Sequence, residues 1–244
     1  MKELILTNTY DVCRSDKPKL CVVMIHGIAA DSTSYNAAHE YFESEEQLRD
    51  IRFVKMDLLG SGLSPKDDSL NYDYNEQITA LHNAIIELKN EAPLILIGHS
   101  LGTFIVTRYA SVYPDEIARL ILISPPIYTK KDYDNPLFKV GMEAFKKSIA
   151  LRNANALKDK AFNNSMKNIV MDRSNYEVLA KIKIPTVILY GKEDQLIASH
   201  NIPELLKKNS LITAIKTNGK HGVSRDKFTK IPKLLKEVME NETL

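Results

Sequence analysis

Short apolar runs alternate with amphipathic segments along most of the 244-residue chain. The runs are continuous in Val, Ile and Leu, as in residues 20–25 (L-C-V-V-M-I) and 94–97 (L-I-L-I). Such runs are typical of strands buried on both faces, as in a parallel sheet. The other predicted strands are 52–58, 120–123, 186–190 and the more polar 211–217.

Between these runs, apolar residues recur at the spacing of amphipathic helices. The alternation of strands and helices favours a three-layer α/β fold with right-handed crossovers. Two pieces near the N-terminus, 3–6 and 10–14, are predicted as antiparallel edge strands. The predicted helices are 34–42, 75–89, 101–113, 202–208 and 227–240.

The alternation stops between Pro125 and Lys183, where several stretches fit helices and no strand-like run occurs. A segment of this length is too long for an ordinary loop, and such segments are usually functional. We therefore predict a helical cap at 127–179, inserted into a core formed by 1–126 and 180–244.

Composition narrows the function classes. The chain is 44% hydrophobic and 26% charged, as is usual for soluble globular proteins. Its formal net charge of +2 gives no concentrated basic face, so we expect no nucleic-acid partner. The two cysteines, Cys13 and Cys21, make a disulfide framework implausible and lack a metal-ligand spacing. Neither a signal peptide nor an apolar span of about 18 residues is evident, so we expect a cytoplasmic protein.

The stretch G-H-S-L-G, residues 98–102, matches the G-x-S-x-G pattern of a nucleophile elbow. Ser100 would occupy a strained, sharp strand-to-helix turn, where side chains in place of the two glycines would collide. The required context is present, since a buried strand precedes and an amphipathic helix follows. The N–H of Leu101 would begin that helix and point toward a developing oxyanion.

A serine nucleophile needs a base, and the base needs an orienting acid. In this architecture the chain order is Ser, acid, His, with each residue at the carboxyl end of a strand. Asp194 follows the strand 186–190, and His221 follows the last predicted strand. Because ligands bind at these strand ends, Ser100, Asp194 and His221 are the predicted catalytic residues. Glu193 adjoins Asp194 and remains a weaker alternative for the acid.

The other histidines are weaker candidates for the base. His39 and His82 lie on predicted helices and His200 begins one, so surface or packing roles are expected. His99 adjoins Ser100 on a sharp turn that directs the two side chains apart, so it is expected to pack. His26 is expected to brace its loop by hydrogen bonding.

Two further glycine turns follow predicted strands. Gly27, after His26, allows a tight turn that would direct the N–H of Ile28 at the site as a second oxyanion donor. The stretch D-L-L-G-S-G-L-S, residues 57–64, contains G-x-G, but Pro65 replaces the third glycine of a dinucleotide fingerprint. We interpret this stretch as a structural turn beside the site.

Together the motifs resemble those of the α/β-hydrolase superfamily, over essentially the whole chain outside 126–183. The resemblance implies an eight-stranded, mostly parallel sheet, a Ser100–His221–Asp194 triad, an oxyanion hole from Ile28 and Leu101, and a cap. It implies no metal or organic cofactor. The motifs are H-G at 26–27, D-x-x-G-x-G-x-S at 57–64, G-H-S-L-G at 98–102, G-x-x-D at 191–194 and H-G at 221–222.

Within the superfamily the chain is similar to small bacterial carboxylesterases, since dehalogenases and epoxide hydrolases carry Asp at the position of Ser100. The resemblance implies hydrolysis of small apolar acyl or aryl esters through an acyl-enzyme. A C–C bond hydrolase, a thioesterase or an acyltransferase on the same triad remains open, as does a non-catalytic binding protein. The expected partner is a small-molecule ester, and a monomer and a homodimer are both possible. Cap residues contact substrate in this superfamily, so the candidates are Tyr128, Phe138, Met142 and Phe162.

Overall fold

Seven strands form one sheet in the described part of the chain, residues 4–152 and 155–241 of this computed structural model. The strand order is β1-β3-β2-β4-β5-β6-β7, with β1 antiparallel to β3 and every other neighbouring pair parallel. The predicted mostly parallel sheet is therefore confirmed. The strands are β1 (Thr7–Val12), β2 (Leu20–Ile25), β3 (Ile51–Asp57), β4 (Leu94–His99), β5 (Ile117–Ile123), β6 (Thr186–Gly191) and β7 (Ile212–Thr217).

Helices cover the sheet and fill the long segment between β5 and β6. The predicted helix 227–240 is divided in two, and Pro232 lies in the first turn of its second part, where proline is tolerated. No helix within the described ranges is long and apolar enough to cross a membrane. The helices are α1 (Asn36–Ser44), α2 (Tyr74–Glu87), α3 (Leu101–Val112), α4 (Lys130–Asp134), α5 (Pro136–Arg152), α6 (Lys160–Ser165), α7 (Asn175–Ala180), α8 (Ile202–Lys208), α9 (Arg225–Phe228) and α10 (Ile231–Asn241).

The apolar core has two parts, one on each face of the sheet. Alternate residues of a strand point to opposite faces, so Val23 of β2 packs with α2 and α3. Its neighbour Val22 packs on the other side with Phe42 of α1 and Leu235 of α10. Because both faces are covered, the strands have continuous apolar sequences, and the three-layer arrangement is confirmed.

The expected count of eight strands is wrong for the described residues, which contain one N-terminal strand where two were predicted. β1 overlaps only the second predicted segment, at residues 10–12, and begins immediately after the first predicted segment ends. Leu6, just before it, is buried, and its N–H donates to the carbonyl of Ala80 on α2 at 3.1 Å. Because that N–H bonds to a helix and not to a strand, residues 4–6 add no strand to the sheet.

The segment between β5 and β6 forms α4 to α7, with a π-helical turn at Met166–Val170 before α7. It is attached to α3 and to the loop after β3. Arg108 of α3 donates to Asp172 at 3.0 Å, and Lys66 lies 3.7 Å from Asp159. These contacts hold the segment beside the carboxyl ends of the central strands.

Candidate active site

Ser100 lies where β4 ends and α3 begins, with φ 50° and ψ −115°. This positive φ is uncommon for a residue with a side chain. Two glycines allow the turn to pack tightly: a Cβ on Gly98 would lie 2.6 Å from the Gly102 carbonyl oxygen, and one on Gly102 would lie 2.3 Å from the Ile25 carbonyl oxygen. The backbone at Ser100 is therefore strained, and its surroundings admit no side chain at either glycine.

The two predicted oxyanion donors lie on either side of this turn. Leu101 is the first residue of α3, and the first N–H groups of a helix have no acceptor within the helix. Ile28 follows β2, and the preceding Gly27 packs so closely on the turn that an added Cβ would lie 3.2 Å from the Ser100 Cβ. Ile28 and Leu101 both line a cavity that Ser100 also lines.

His221 and Asp194 are in direct contact. His221 Nδ1 lies 3.0 Å from Asp194 Oδ2 and 3.1 Å from Oδ1. The Asp194 side chain is inaccessible to solvent, and the Leu196 N–H also donates to it at 3.0 Å. Burial raises the pKa of Asp194, but hydrogen bonds and the charge of His221 outweigh burial, so the pKa lies below its ordinary value. Asp194 is thus held as a carboxylate against the ring.

His221 and Ser100 line the same cavity, about 30 Å³ in volume. Since Nδ1 of His221 faces Asp194, Nε2 is the ring nitrogen left for another partner. The carboxyl ends of β4, β6 and β7 lie at one edge of the sheet, so Ser100, Asp194 and His221 are brought together there. Glu193 is exposed, whereas its neighbour Asp194 is buried.

The structure places three of the other histidines away from this cavity. His39 stacks on Tyr10 with ring centroids 4.5 Å apart. His82 stacks on Tyr113 at 4.1 Å. His200 Nε2 lies 2.9 Å from Asp132 Oδ1, and its side chain is largely exposed. Each therefore has the surface or packing role that its position in the sequence indicated.

His26 and His99 lie close to the turn at Ser100, but neither lines the cavity beside it. His26 Nδ1 donates to the Gly27 carbonyl at 2.7 Å, and its Nε2 accepts from the Leu58 N–H at 3.0 Å. This pairing braces the loop and assigns the ring proton to Nδ1, and burial lowers the pKa of His26. The ring of His99 packs beside Gly27. The centroids of the His99 and His221 rings are 5.2 Å apart.

Asp57 shapes the glycine turn after β3. Its Oδ1 accepts from the Ser32 N–H at 2.7 Å, and its Oδ2 accepts from the Leu63 N–H at 2.8 Å. Gly62 has φ 49°, and a Cβ there would lie 2.0 Å from Asp57 Oδ2. The carboxylate therefore occupies the space that a side chain at Gly62 would need, which fits the interpretation of this stretch as a structural turn.

The four candidate substrate residues do not all reach the same place. Tyr128 and Met142 line the cavity beside Ser100. Phe138 instead lines a neighbouring cavity of about 260 Å³ that lies on the other side of Tyr128 and Met142. Phe162 lines a third cavity, of about 210 Å³. The sequence had not singled out the other apolar residues around Ser100, namely Phe104, Pro126, Phe145, Val170 and Leu196.

The site holds the groups for nucleophilic chemistry: a hydroxyl on a strained turn, an imidazole and a carboxylate. Among the described residues, no group of three or more His, Cys, Asp and Glu side chains is arranged to hold a metal ion.

A protein-family model described as serine aminopeptidase, S33, matches residues 16–178. The match covers about two thirds of the chain and includes the turns at Gly27, Gly62 and Ser100. The chain belongs to this family of α/β hydrolases. The match ends before Asp194 and His221. Their proximity to Ser100 is therefore shown by the three-dimensional structure of this hydrolase and not by the family match.

Relatives of this α/β hydrolase include plant and bacterial proteins. It is 29% identical over 119 residues to a probable lysophospholipase, BODYGUARD 5, of Arabidopsis thaliana, covering 48% of this chain and 27% of that protein. It is 26% identical over 216 residues to Lipase 1 of Psychrobacter immobilis, covering 77% and 66%. The chain thus spans about a quarter of the length of the plant relatives that it matches.

A solved esterase from Exiguobacterium antarcticum has the same fold as this hydrolase. The TM-score is 0.68, at 17% sequence identity, and the superposition covers 95% of this chain and 94% of the esterase. The fold is therefore shared over nearly the full length of both proteins.

Proposed function

We propose that the protein is a serine hydrolase that cleaves small apolar acyl or aryl esters through an acyl-enzyme. The observation that carries this proposal is the pairing of His221 Nδ1 with the buried Asp194 carboxylate, at a cavity that Ser100 also lines. The names of the relatives, a probable lysophospholipase and a lipase, support an ester as the substrate class.

Each residue has one role in the proposed reaction. His221 Nε2 takes the proton of Ser100 as its Oγ attacks the ester carbonyl, and Asp194 stabilises the imidazolium that forms. The Ile28 and Leu101 N–H groups hold the negative charge of the tetrahedral oxygen. His221 then protonates the leaving alcohol, and water repeats the sequence on the acyl-enzyme with His221 as base.

The cavity supports a small apolar group beside Ser100. Apart from Ser100, Tyr128 and His221, its lining side chains are purely apolar, and its volume of about 30 Å³ leaves little room. Tyr128 and Met142 come from the segment between β5 and β6, which we propose as a cap spanning 127–179. In this role the cap excludes water from the acyl-enzyme, except for the water molecule that attacks it.

The test is an activity panel of p-nitrophenyl esters of increasing acyl length, with an acyl-CoA and a diketone included. The variant Ser100→Ala is expected to lose about 10⁶ in turnover, as nucleophile removal does in other triad enzymes. Ser111→Ala is the matched control, because Ser111 is an exposed serine on α3, the helix that begins directly after Ser100. A fluorophosphonate is expected to label the wild type and the control but not Ser100→Ala. Retention of more than a tenth of the activity by Ser100→Ala would contradict the proposal. Turnover confined to the diketone or to the thioester would replace the ester as the proposed substrate class.

A further inference from the structure

Lys227 of α9 is completely buried next to the candidate site. An ammonium group in such a place is strongly unfavourable unless each of its protons has an acceptor. All three have one: Lys227 Nζ donates to Ser124 Oγ at 2.8 Å, to the Lys220 carbonyl at 2.6 Å and to the Gly222 carbonyl at 2.8 Å. Burial lowers the pKa of Lys227, and the charge of Asp194 opposes this shift.

The two carbonyl acceptors belong to the residues on either side of His221. One ammonium group therefore binds the peptide unit that joins Lys220 to His221 and the peptide unit that follows Gly222. The loop needs such an anchor, because Gly219 has φ 95° and Gly222 has φ 136°, and glycine leaves the backbone free to adopt many conformations. Lys227 thus fixes the backbone of a loop whose two glycines would otherwise allow other conformations.

The third acceptor is the hydroxyl of Ser124, at the end of another strand. Ser124, at the end of β5, is buried, has φ 51°, and donates its backbone N–H to the Leu189 carbonyl at 2.8 Å. Its hydroxyl accepts from Lys227 and so directs its own proton elsewhere. Ser124 is also one of the groups that lower the pKa of Asp194.

We propose that Lys227 is a positioning residue that sets the geometry of the His221–Asp194 pair by binding the carbonyls of Lys220 and Gly222, with the hydroxyl of Ser124 holding the ammonium group in place. The proposal rests on the proposed function, since it assigns these contacts to the geometry of the base. Lys227 touches neither the cavity nor the substrate, so its removal misplaces the base without weakening substrate binding.

The experiment compares Lys227→Met and Ser124→Ala with Lys55→Met. Lys55 is the matched control because it is also a buried lysine, bonded to Asn36 and His39 at 2.8 Å each and distant from the His221 loop. Lys227→Met is expected to lower kcat on the order of 10²-fold, the effect of displacing a reacting group by about 1 Å, with KM nearly unchanged. Ser124→Ala, which removes only one of the three acceptors, is expected to lower kcat by less, and Lys55→Met is expected to leave kcat unchanged.

A spectroscopic measurement tests the same contacts without catalysis. The proton on His221 Nδ1, bonded to Asp194, is expected to give a far-downfield proton NMR signal in the wild type and in Lys55→Met. The signal is expected to disappear through rapid solvent exchange in Lys227→Met. If the wild type hydrolyses no ester but Lys227→Met still loses the signal, the positioning role is supported while the proposed function fails.

Two outcomes overturn the positioning role. One is a folded Lys227→Met protein whose kcat and downfield signal match those of Lys55→Met. If Lys227→Met does not fold, Ser124→Ala decides: an unchanged kcat together with an unchanged signal overturns the proposal.

Discussion

The rings of His99 and His221 lie 5.2 Å apart between centroids, with their planes at 48°. Neither ring nitrogen of His99 has a hydrogen-bond partner among the described residues, and both nitrogens are inaccessible. Burial, followed by the nearby charges of His221 and Lys227, lowers the pKa of His99 well below its ordinary value. A neutral His99 ring therefore packs beside the proposed base, His221, and protonation of His99 would place a second cation next to that ring.

This relationship predicts acid sensitivity of the fold. The pKa values of His26 and His99 are lowered in the folded chain, whereas in the unfolded chain each is about 6.5. As the pH falls below about 6.5, the unfolded chain binds protons that the folded chain does not, so acid favours unfolding. These two histidines should therefore make the free energy of unfolding rise with pH in this window, and together they contribute at most about 2.7 kcal/mol per pH unit.

Urea unfolding between about pH 5 and about pH 7.5 measures this slope. His99→Phe keeps a ring of similar size and removes one titrating group, so its slope should be shallower than that of the wild type. Equal slopes for the two proteins would show that His99 does not titrate differently in the folded and unfolded chains.

The two acidic neighbours Glu193 and Asp194 are expected to behave differently. Asp194→Asn should lower kcat by about 10⁴, because an amide holds His221 in the wrong tautomer, as in other triads. Glu193→Gln should leave kcat near the wild-type value, since Glu193 is exposed. Steady-state kinetics on one ester would decide, and a large loss in Glu193→Gln with little in Asp194→Asn would reverse the assignment of the acid.

The small cavity predicts a size limit on the substrate. Met142→Ala or Phe145→Ala removes part of its wall, so esters one methylene longer should gain about 10-fold in kcat/KM relative to the shortest ester. Val140→Ala, on the same helix but 66% exposed, is the control. Separate series lengthened in the acyl and in the alcohol part would show which part lies in the cavity, and no change in either series would remove the cavity from the binding site.

The contact of Gly62 with Asp57 predicts a strong effect of one methyl group. Gly62→Ala would place a Cβ 2.0 Å from Asp57 Oδ2 at φ 49°, so we expect a loss of about 1–3 kcal/mol in the free energy of unfolding. Gly141→Ala is the matched control: it lies in α5 with no atom within 4 Å of an added Cβ, and should stabilise by about 0.5–1 kcal/mol. Thermal unfolding of both variants would test this, and similar melting temperatures would contradict it.

Much of the fold follows from local sequence. The apolar runs predicted β2 to β6, because strands covered on both faces need apolar residues at successive positions, and a more polar run predicted β7. Parallel strands direct their carboxyl ends to one edge, so Asp194 and His221 could be placed near Ser100 from their positions after strands alone. The number of N-terminal strands could not be predicted, because the N–H of Leu6 bonds to α2, an element far along the chain.

By itself, the sequence determined the α/β layering, the strained turn at Ser100 and the residues that follow each strand, since all of these depend on neighbours along the chain. Only the tertiary structure decided that Met142 reaches the Ser100 cavity while Phe162 does not. It also decided that Lys227, which by composition would be assigned to a solvated helix face, is buried against Ser124, 103 residues away. The physical reason is that the partners of a buried side chain come from the packing of distant elements, which local periodicity does not encode.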